Sequence, residues 1–290
     1  MIRNIVEISR EIRPIRQKSS KNHKEVLYKK VRYLFAHLLP TQVACLYLLS
    51  VGIFRKKYRA LIYDIWMMVF PKIFTKRFVP PVAITSLVSN AASLHLYEQE
   101  DDAVGNISLE ELFILVELLQ TCQPTTCFEI GTYDGRTALN MAANTSDDAV
   151  IYTLDLPREQ IDSTIFPLDP LDLDVVKKET SGARYHSTEW ECKIQQLYGD
   201  SAAFDYTPYQ GKIDFVFVDG SHTYDYVLSD SRKAISLLRN EKGIILWHDY
   251  PNIYSVLKGI NYLQATDSRF AGIRHIEGTR FAVLDLRTEV

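Results

Sequence analysis

A glycine-containing stretch at residues 127–138 constrains the fold of this chain more than any other part of it. It reads Cys-Phe-Glu-Ile-Gly-Thr-Tyr-Asp-Gly-Arg-Thr-Ala, an apolar run followed by two glycines and then by residues typical of a helix. This order predicts a short buried strand, a tight turn and the first turn of a helix. Such a junction directs backbone N–H groups and the positive end of the helix toward a ligand.

The spacing of the two glycines narrows the kind of ligand. A dinucleotide-binding loop requires G-x-G-x-x-G, and a P-loop requires a lysine after its last glycine. Here Gly131 and Gly135 are four positions apart, no lysine follows them, and Glu129 lies two positions before the first. The spacing therefore disfavours a nicotinamide-dependent oxidoreductase and a P-loop nucleotidase.

Beyond this stretch, short apolar runs alternate with segments of helical periodicity. The apolar runs predict strands at 150–155, 194–198, 212–218 and 243–249. The periodic segments predict helices at 109–120, 137–143, 224–239 and 254–263. A capping box, Ser108 with Glu111, marks the start of the first helix. Residues 272–276 and 281–286 predict a closing antiparallel hairpin. Strands that alternate with helices predict an α/β fold with a doubly wound, mostly parallel sheet.

Charge divides the chain into two parts. The net charge of −3 combines a basic segment, residues 1–80, with an acidic one, residues 81–290. Pro80 and Pro81 mark the boundary, because prolines stop helices. We therefore predict a basic, apolar helical extension at 1–80 and a catalytic domain at 81–290. The acidic body and the absence of a recognised reading module disfavour nucleic acid as a partner.

The extension contains apolar segments separated by a basic run. Residues 33–54 lack Asp, Glu, Lys and Arg, and Ala60 to Phe74 form a second apolar segment after the run at 55–59. One interpretation is peripheral contact of residues 33–74 with a membrane surface. The favoured alternative is a pair of helices that pack on the body or on a second subunit, which predicts a homo-oligomer. The loop-like segment 156–182 is interpreted as a lid.

Cysteine usage and the amino terminus bear on localisation. The four cysteines show no C-x-x-C pair and no metal-ligand spacing, which favours a reduced, intracellular protein. The first residues, Met-Ile-Arg-Asn-Ile-Val-Glu, lack the apolar core of a signal peptide. We therefore expect a cytoplasmic protein, with membrane association through the extension as the open alternative.

Carboxylates follow four of the predicted strands: Asp155, Asp200, Asp219 and Asp249. The carboxyl ends of parallel strands lie at one edge of the sheet, so these side chains are expected to converge there. Asp155, at the end of the strand after the glycine turn, can accept both hydroxyls of a ribose, or alternatively cap a local turn.

The pair Asp219 and Asp249, with the nearby histidines, predicts the reacting part of the site. Asp219, Asp249 and His248 are candidate ligands of Mg²⁺ or another divalent cation. A metal there would lower the pKa of a substrate hydroxyl. His222 could instead act as a general base without a metal, which makes Asp219 and His222 the candidate catalytic residues. The alternative for both histidines is hydrogen bonding to loop backbone.

From about residue 105 to 286 the chain resembles the class I S-adenosylmethionine (SAM)-dependent methyltransferases, and within them the catechol and the macrocin and novobiocin O-methyltransferases. The resemblance is carried by Glu129–Gly135, Leu154-Asp155, Gly199–Ser201, Asp214–His222, Trp247–Tyr250 and Gly278–Phe281. It implies a Rossmann-like sheet of seven strands whose last strand is inserted antiparallel. It also implies that Asp200 accepts from the adenine amino group. The metal site departs from the family pattern, because His248-Asp249-Tyr250 stands where a paired Asp-Asp or Asp-Asn is typical.

The expected function is methylation of a hydroxyl on a small molecule or glycan, with SAM as the cofactor. The alternative from another class is a membrane-associated, non-catalytic nucleoside-binding or scaffold protein. The residues expected to bind the cofactor are Glu129, Gly131, Thr132, Tyr133, Asp134, Gly135, Asp155, Asp200 and Ser201.

Overall fold

The computed structural model describes residues 79–89, 94–97, 105–170 and 172–287, together with scattered positions between 42 and 62. The chain divides into two compact units, residues 1–63 and residues 64–290. In the first unit, described positions between Gln42 and Ser50 are helical, and the Ser50 hydroxyl donates to the carbonyl of Leu46 at 2.6 Å. Residues 1–41 of the predicted basic extension lie outside the described residues. Among the described residues, no helix has the length and apolar character needed to cross a membrane.

The second unit is an α/β fold whose elements alternate along the chain as predicted. Its strands are β1 (Pro81–Val82), β2 (Thr126–Ile130), β3 (Val150–Asp155), β4 (Ile194–Tyr198), β5 (Phe215–Val218), β6 (Ile244–Trp247), β7 (Arg274–Ile276) and β8 (Ala282–Asp285). Its α-helices are α1 (Leu109–Cys122), α2 (Arg136–Ala143), α3 (Asp172–Val176), α4 (Tyr224–Leu237) and α5 (Tyr254–Thr266).

The strands form one sheet in the order β1-β7-β8-β6-β5-β2-β3-β4. Strand β8 is antiparallel to both of its neighbours, β6 and β7, and the other pairings are parallel. This confirms the predicted Rossmann-like sheet with an inserted antiparallel strand. The prediction of seven strands is wrong by one, because β1 adds an eighth strand beside β7. Proline cannot donate to a sheet ladder, so it is tolerated at an edge such as this one.

The core lies between the sheet and its helices. Phe215, Phe217, Ile244 and Leu246 alternate on β5 and β6 and are fully buried with Leu112, Leu115 and Leu119 of α1. The predicted capping box is present at the start of α1. Ser108 Oγ accepts from the Glu111 N–H at 3.2 Å, and Glu111 Oε2 accepts from the Ser108 N–H at 3.0 Å.

The predicted lid, residues 156–182, has more structure than expected. It contains a 3₁₀-helix, Arg158–Ser163, and the short helix α3. Polar contacts to the sheet edge hold this segment, so no periodic apolar pattern marks its structure in the sequence. The backbone N–H of Ile165, for example, donates to Asp200 Oδ2 at 2.6 Å.

Candidate active site

The carboxyl edge of the sheet brings the strand-end residues together. The ladder continues one residue past the strands, since the N–H of Gly131 donates to Leu154 O at 2.8 Å and that of Asp219 to Ile130 O at 2.9 Å. The N–H of His248 donates to Val218 O at 3.1 Å in the same way. The loops after β2, β3, β5 and β6 therefore leave the sheet side by side, as the strand-end pattern predicts.

The glycines of the motif loop are required by close packing. Gly131 has a φ of +101°, and a Cβ atom there would lie 2.0 Å from the carbonyl oxygen of Asp219. Gly135 is the N-cap of α2 with a φ of +87°, and a Cβ there would lie 2.6 Å from the Cα of Gly182. Tyr133 between them also has a positive φ, +49°. The loop thus runs directly against the end of β5 and against the chain near Gly182.

Two of the predicted cofactor-binding side chains lie inside the protein. Glu129 is fully buried and its Oε2 accepts from the Thr153 hydroxyl, while its Oε1 has no partner. Burial raises the pKa of this carboxyl well above its ordinary value. The Thr132 hydroxyl lies 2.6 Å from Thr153 Oγ1 and accepts from Gln196 Nε2 at 3.0 Å. These residues form a buried polar network beneath the loop.

Asp134 shapes the loop from within. Its Oδ2 accepts from Asn106 Nδ2 at 2.8 Å and from Arg184 Nε at 2.7 Å, and its Oδ1 accepts from the Arg136 N–H at 3.0 Å. The chain itself therefore occupies both oxygens of this predicted cofactor residue.

Asp155 and Asp200 are the carboxylates beside the motif loop. Asp155 Oδ2 lies 2.7 Å from Lys178 Nζ and also accepts from the Ser181 hydroxyl. Asp200 Oδ1 accepts from the Tyr226 hydroxyl at 2.8 Å. Both carboxylates are more than nine-tenths buried. The protein pre-orients them through the lid segment and α4.

Asp219, His222 and Asp249 form the reactive cluster of the site. One potential ligand atom from each of the three lies within 4.8 Å of the others. His222 Nε2 is 2.7 Å from Asp249 Oδ2. Asp249 has a φ of +58°, a sparsely populated conformation for a residue other than glycine, and such strained residues cluster at functional sites.

His248 has a different environment from the one predicted for a metal ligand. Its Nδ1 lies 3.1 Å from Asp219 Oδ1, and its Nε2 lies 3.4 Å from Glu111 Oε2. The side chain is 2% exposed. The group of potential metal ligands comprises His222 rather than His248. His248 joins the cluster to α1.

Sequence reasoning missed several charged members of the site, among them Glu111 and Arg280. Arg280, in the turn before β8, places Nη2 2.8 Å from Glu111 Oε2 and Nη1 3.3 Å from Asp249 Oδ1. Glu111 was identified only as half of a capping box, and Arg280 only as part of the final motif. They are 169 positions apart in the sequence, so no local pattern could signal the contact.

The carboxylates and histidines of the cluster shift one another's pKa toward the charged forms. Burial works against a charged ring, but Asp172 and Asp249 raise the pKa of His222 well above its usual value. Asp249 and Asp219 do the same for the pKa of His248. In return, His248 and His222 hold the pKa of Asp249 well below its usual value, although burial opposes this. Four carboxylates, those of Glu111, Asp172, Asp219 and Asp249, face one guanidinium and two imidazoles. The cluster keeps a negative charge even when both rings are protonated.

Behind the cluster lies a cavity of about 20 Å³, lined in part by Gly220, Trp247 and Asp230. Asp230 is 1% exposed, and its Oδ1 has no hydrogen-bond partner. Burial raises the pKa of Asp230 to about 7, although a hydrogen bond from Ser201 works in the opposite direction. Ser201, predicted to contact the cofactor, is thus linked to Asp230.

Comparison with known proteins finds a family model that matches the part of the chain around this edge of the sheet. A family model described as a methyltransferase domain matches residues 128–250. Comparison with curated proteins gives no match.

Several solved structures also match this chain, each at low identity. The O-methyltransferase TomG from Streptomyces achromogenes, in complex with SAM, is 14% identical with a TM-score of 0.44, over 62% of this chain and 80% of that one. An O-methyltransferase from Bacillus cereus, in complex with SAH, is 14% identical with a TM-score of 0.44, over 62% and 82%. The SAH-bound methyltransferase PaMTH1 from Podospora anserina is 19% identical with a TM-score of 0.42, over 66% and 83%.

The matched segment, residues 128–250, begins at the motif loop and ends just past Asp249, so it contains the strand-end carboxylates described above. The prediction of a methyltransferase is confirmed, and the non-catalytic alternative is not favoured. Residues 128–250, which include the strand-end carboxylates, therefore match a methyltransferase domain and lie on a Rossmann-like sheet.

Proposed function

We propose that this protein transfers the methyl group of SAM to a hydroxyl oxygen of a small molecule or glycan. The observation that carries the proposal is the contact between the motif loop and the end of β5. Gly131 packs so closely on Asp219 that a Cβ atom would lie 2.0 Å from the Asp219 carbonyl oxygen. A cofactor held by the loop would therefore sit next to the Asp219, His222 and Asp249 cluster.

The cofactor is held from the other side by the two buried carboxylates. Asp155 is placed to accept the ribose hydroxyls, and Asp200 to accept from the adenine amino group. Carboxylates in the same strand-end position serve the ribose in other nucleoside-binding α/β folds. Glu129 and Asp134 support the loop, since Glu129 is buried beneath it and the Asp134 carboxylate ties it to Asn106 and Arg184.

In the proposed reaction the acceptor oxygen attacks the methyl carbon of SAM. The C–S bond breaks, its electron pair stays on sulfur, and S-adenosylhomocysteine leaves. The hydroxyl proton passes to the negatively charged cluster of Asp219, His222 and Asp249. The residual negative charge of the cluster favours this uptake. Asp219 and His222 are assigned the catalytic roles because both belong to this cluster and both line the small cavity behind it.

The donor set also fits a divalent cation. Two carboxylates and one imidazole nitrogen can approach a common centre, and the cluster carries a surplus of negative charge. Oxygen ligands suit Mg²⁺ and Mn²⁺, and an imidazole ligand shifts the preference toward transition metals. Asp219, Asp249 and His222 would hold the ion, which would lower the pKa of a bound hydroxyl.

The decisive experiment is a calorimetric titration of the full chain with SAM, followed by assay of S-adenosylhomocysteine with catechol and with simple sugars as acceptors. We expect binding of SAM and product formation with a hydroxyl acceptor. Wild-type protein that does not bind SAM would refute the proposal. Repeating the assay with Asp219→Asn should leave SAM binding intact and remove turnover.

Titration with Mn²⁺ tests the metal independently of activity. Wild-type protein should bind the ion, and Asp249→Asn should weaken that binding. Equal Mn²⁺ affinity in the two proteins would refute the ligand assignment. The matched control is Asp162→Asn, which removes an exposed carboxylate of the lid segment.

Membrane contact through residues 33–74 and self-association are further parts of the proposal. Among the described positions of that region, Leu46 and Phe54 are 69% and 83% exposed, and the cation Arg55 follows Phe54. Flotation of the full chain with anionic vesicles, compared with Phe54→Glu, tests the contact. Equal partitioning of the two proteins would argue against it. Light scattering reports the oligomeric state.

A further inference from the structure

The lid segment contributes a carboxylate, Asp172, to the reactive cluster. Asp172 is the first residue of α3 and is 6% exposed. Its Oδ2 accepts from the Ser221 hydroxyl at 2.8 Å and from the backbone N–H of His222 at 3.1 Å. Its Oδ1 is bonded to Nδ1 of the His222 ring. Three contacts thus join one side chain to the loop after β5.

These contacts fix the orientation of the His222 ring. With Nδ1 directed at Asp172, the opposite ring nitrogen, Nε2, points toward Asp249 at 2.7 Å. The backbone contact holds the main chain of His222, and the Ser221 contact holds the preceding residue. Rotation of the imidazole away from the cluster would break the bond to a buried carboxylate, which is costly.

We propose that Asp172 is a positioning residue that anchors the loop after β5 and fixes the orientation of the His222 ring within the reactive cluster. The inference rests on the proposed function. Asp172 acts through His222 and does not contact the substrate. A carboxylate bonded to one ring nitrogen of a histidine fixes the orientation of the ring. The other ring nitrogen, Nε2, stays directed at Asp249.

The position of Asp172 in the chain determines how it must be tested. The same segment reaches both cofactor carboxylates, since Lys178 pairs with Asp155 and the Ile165 N–H donates to Asp200. A variant of Asp172 that disturbs the whole segment would therefore also lose cofactor binding. Binding of SAM and turnover have to be measured separately on the same preparations.

The experiment compares Asp172→Ala, Asp172→Glu and the exposed neighbour Asp174→Ala in the full chain. We expect Asp172→Ala to keep the wild-type affinity for SAM and to lower kcat for catechol about 10–100-fold, as loss of a partner that orients a functional histidine does. Asp172→Glu, which retains a carboxylate, should recover part of the rate. Asp174→Ala should match the wild type.

Nuclear magnetic resonance of the His222 ring nitrogens gives a readout that needs no acceptor. Wild-type protein should show the signature of a hydrogen bond at Nδ1, and Asp172→Ala should lose that signature. An unchanged ring signature in Asp172→Ala would overturn the proposal, as would a loss of SAM affinity equal to the loss of rate. Failure of the wild type itself to bind SAM would instead contradict the proposed function, so the two failures are distinguishable.

Discussion

Lys178 Nζ lies 2.7 Å from Asp155 Oδ2, in an ion pair whose side chains are 11% and 8% exposed. The pair joins the lid segment to the end of β3, at the position where the ribose of the cofactor is proposed to bind. Lys178 therefore holds the Asp155 carboxylate in place where it can accept hydroxyl hydrogens.

Replacement of Asp155 should therefore weaken cofactor binding. We expect Asp155→Ala to lower the affinity for SAM by roughly tenfold or more, because hydrogen bonds to a charged group contribute about 1.5–3 kcal/mol each. Calorimetric titration measures the change. The control Asp162→Ala removes an exposed carboxylate of the same segment and should bind SAM normally. Wild-type affinity in Asp155→Ala would show that the ribose lies elsewhere.

Glu111 should contribute more to stability than its role as a helix cap explains. Ser108→Ala removes the cap and should cost about 1 kcal/mol of unfolding free energy. Glu111→Ala also removes one carboxylate partner from both Arg280 and His248, and breaking a buried pair costs about 3–5 kcal/mol. Urea unfolding of the two variants gives the comparison. Equal losses would mean that the contacts to Arg280 and His248 add nothing.

Asp230 should make stability depend on pH near neutrality. Its pKa is raised from 3.8 to about 7 in the folded protein, so the folded state favours the neutral carboxyl. The resulting stabilisation is fully present at low pH. That stability is lost as the pH rises from about 4 to about 7, at up to about 1.4 kcal/mol per pH unit. Asp230→Asn stays neutral, so its advantage over the wild type should grow across this range and then level off.

Thermal unfolding between pH 4 and pH 8 measures the effect of Asp230. The exposed Asp225→Asn, on the same helix, should follow the wild-type curve. A constant difference between Asp230→Asn and the wild type at every pH would contradict the assignment.

Gly131 and Gly278 form a matched pair for testing the motif loop. Both have a positive φ, +101° and +81°, but a Cβ atom at Gly278 would meet nothing within 4 Å. Gly278→Ala should cost only the backbone strain, about 1–2 kcal/mol. Gly131→Ala should cost more and abolish SAM binding, because its Cβ would collide with the Asp219 carbonyl. Unfolding and calorimetric titration report the two effects, and normal SAM binding by Gly131→Ala would contradict the loop assignment.

The parts of the fold that could be predicted are those with local signals. Strand β3 begins and ends where the apolar run predicts, and the capping box marks the start of α1, because periodicity and capping act over a few residues. Strand β1 was missed, since two residues with a proline carry no period. It is held by pairing to β7, almost 200 residues later.

The same distinction applies to the site. Asp155, Asp219 and Asp249 could be found because each follows a recognisable strand. Arg280 and Asp172 could not be assigned from the pattern of strand ends. Arg280 lies in the turn of the closing hairpin, between β7 and β8, and Asp172 lies in a segment without apolar periodicity.

The pairing of β1 with β7 and the insertion of β8 between β7 and β6 have a consequence for synthesis on the ribosome. The amino-terminal edge strand of the sheet has no partner until residues 274–276 have emerged. Arg280 and β8 follow later still, so the cation that faces Glu111 and Asp249 arrives among the last described residues. Until then the carboxylates of the reactive cluster lack their guanidinium, and the open edge of β6 lacks its neighbour. The nascent chain therefore acquires the motif loop long before it acquires the guanidinium that faces the reactive cluster.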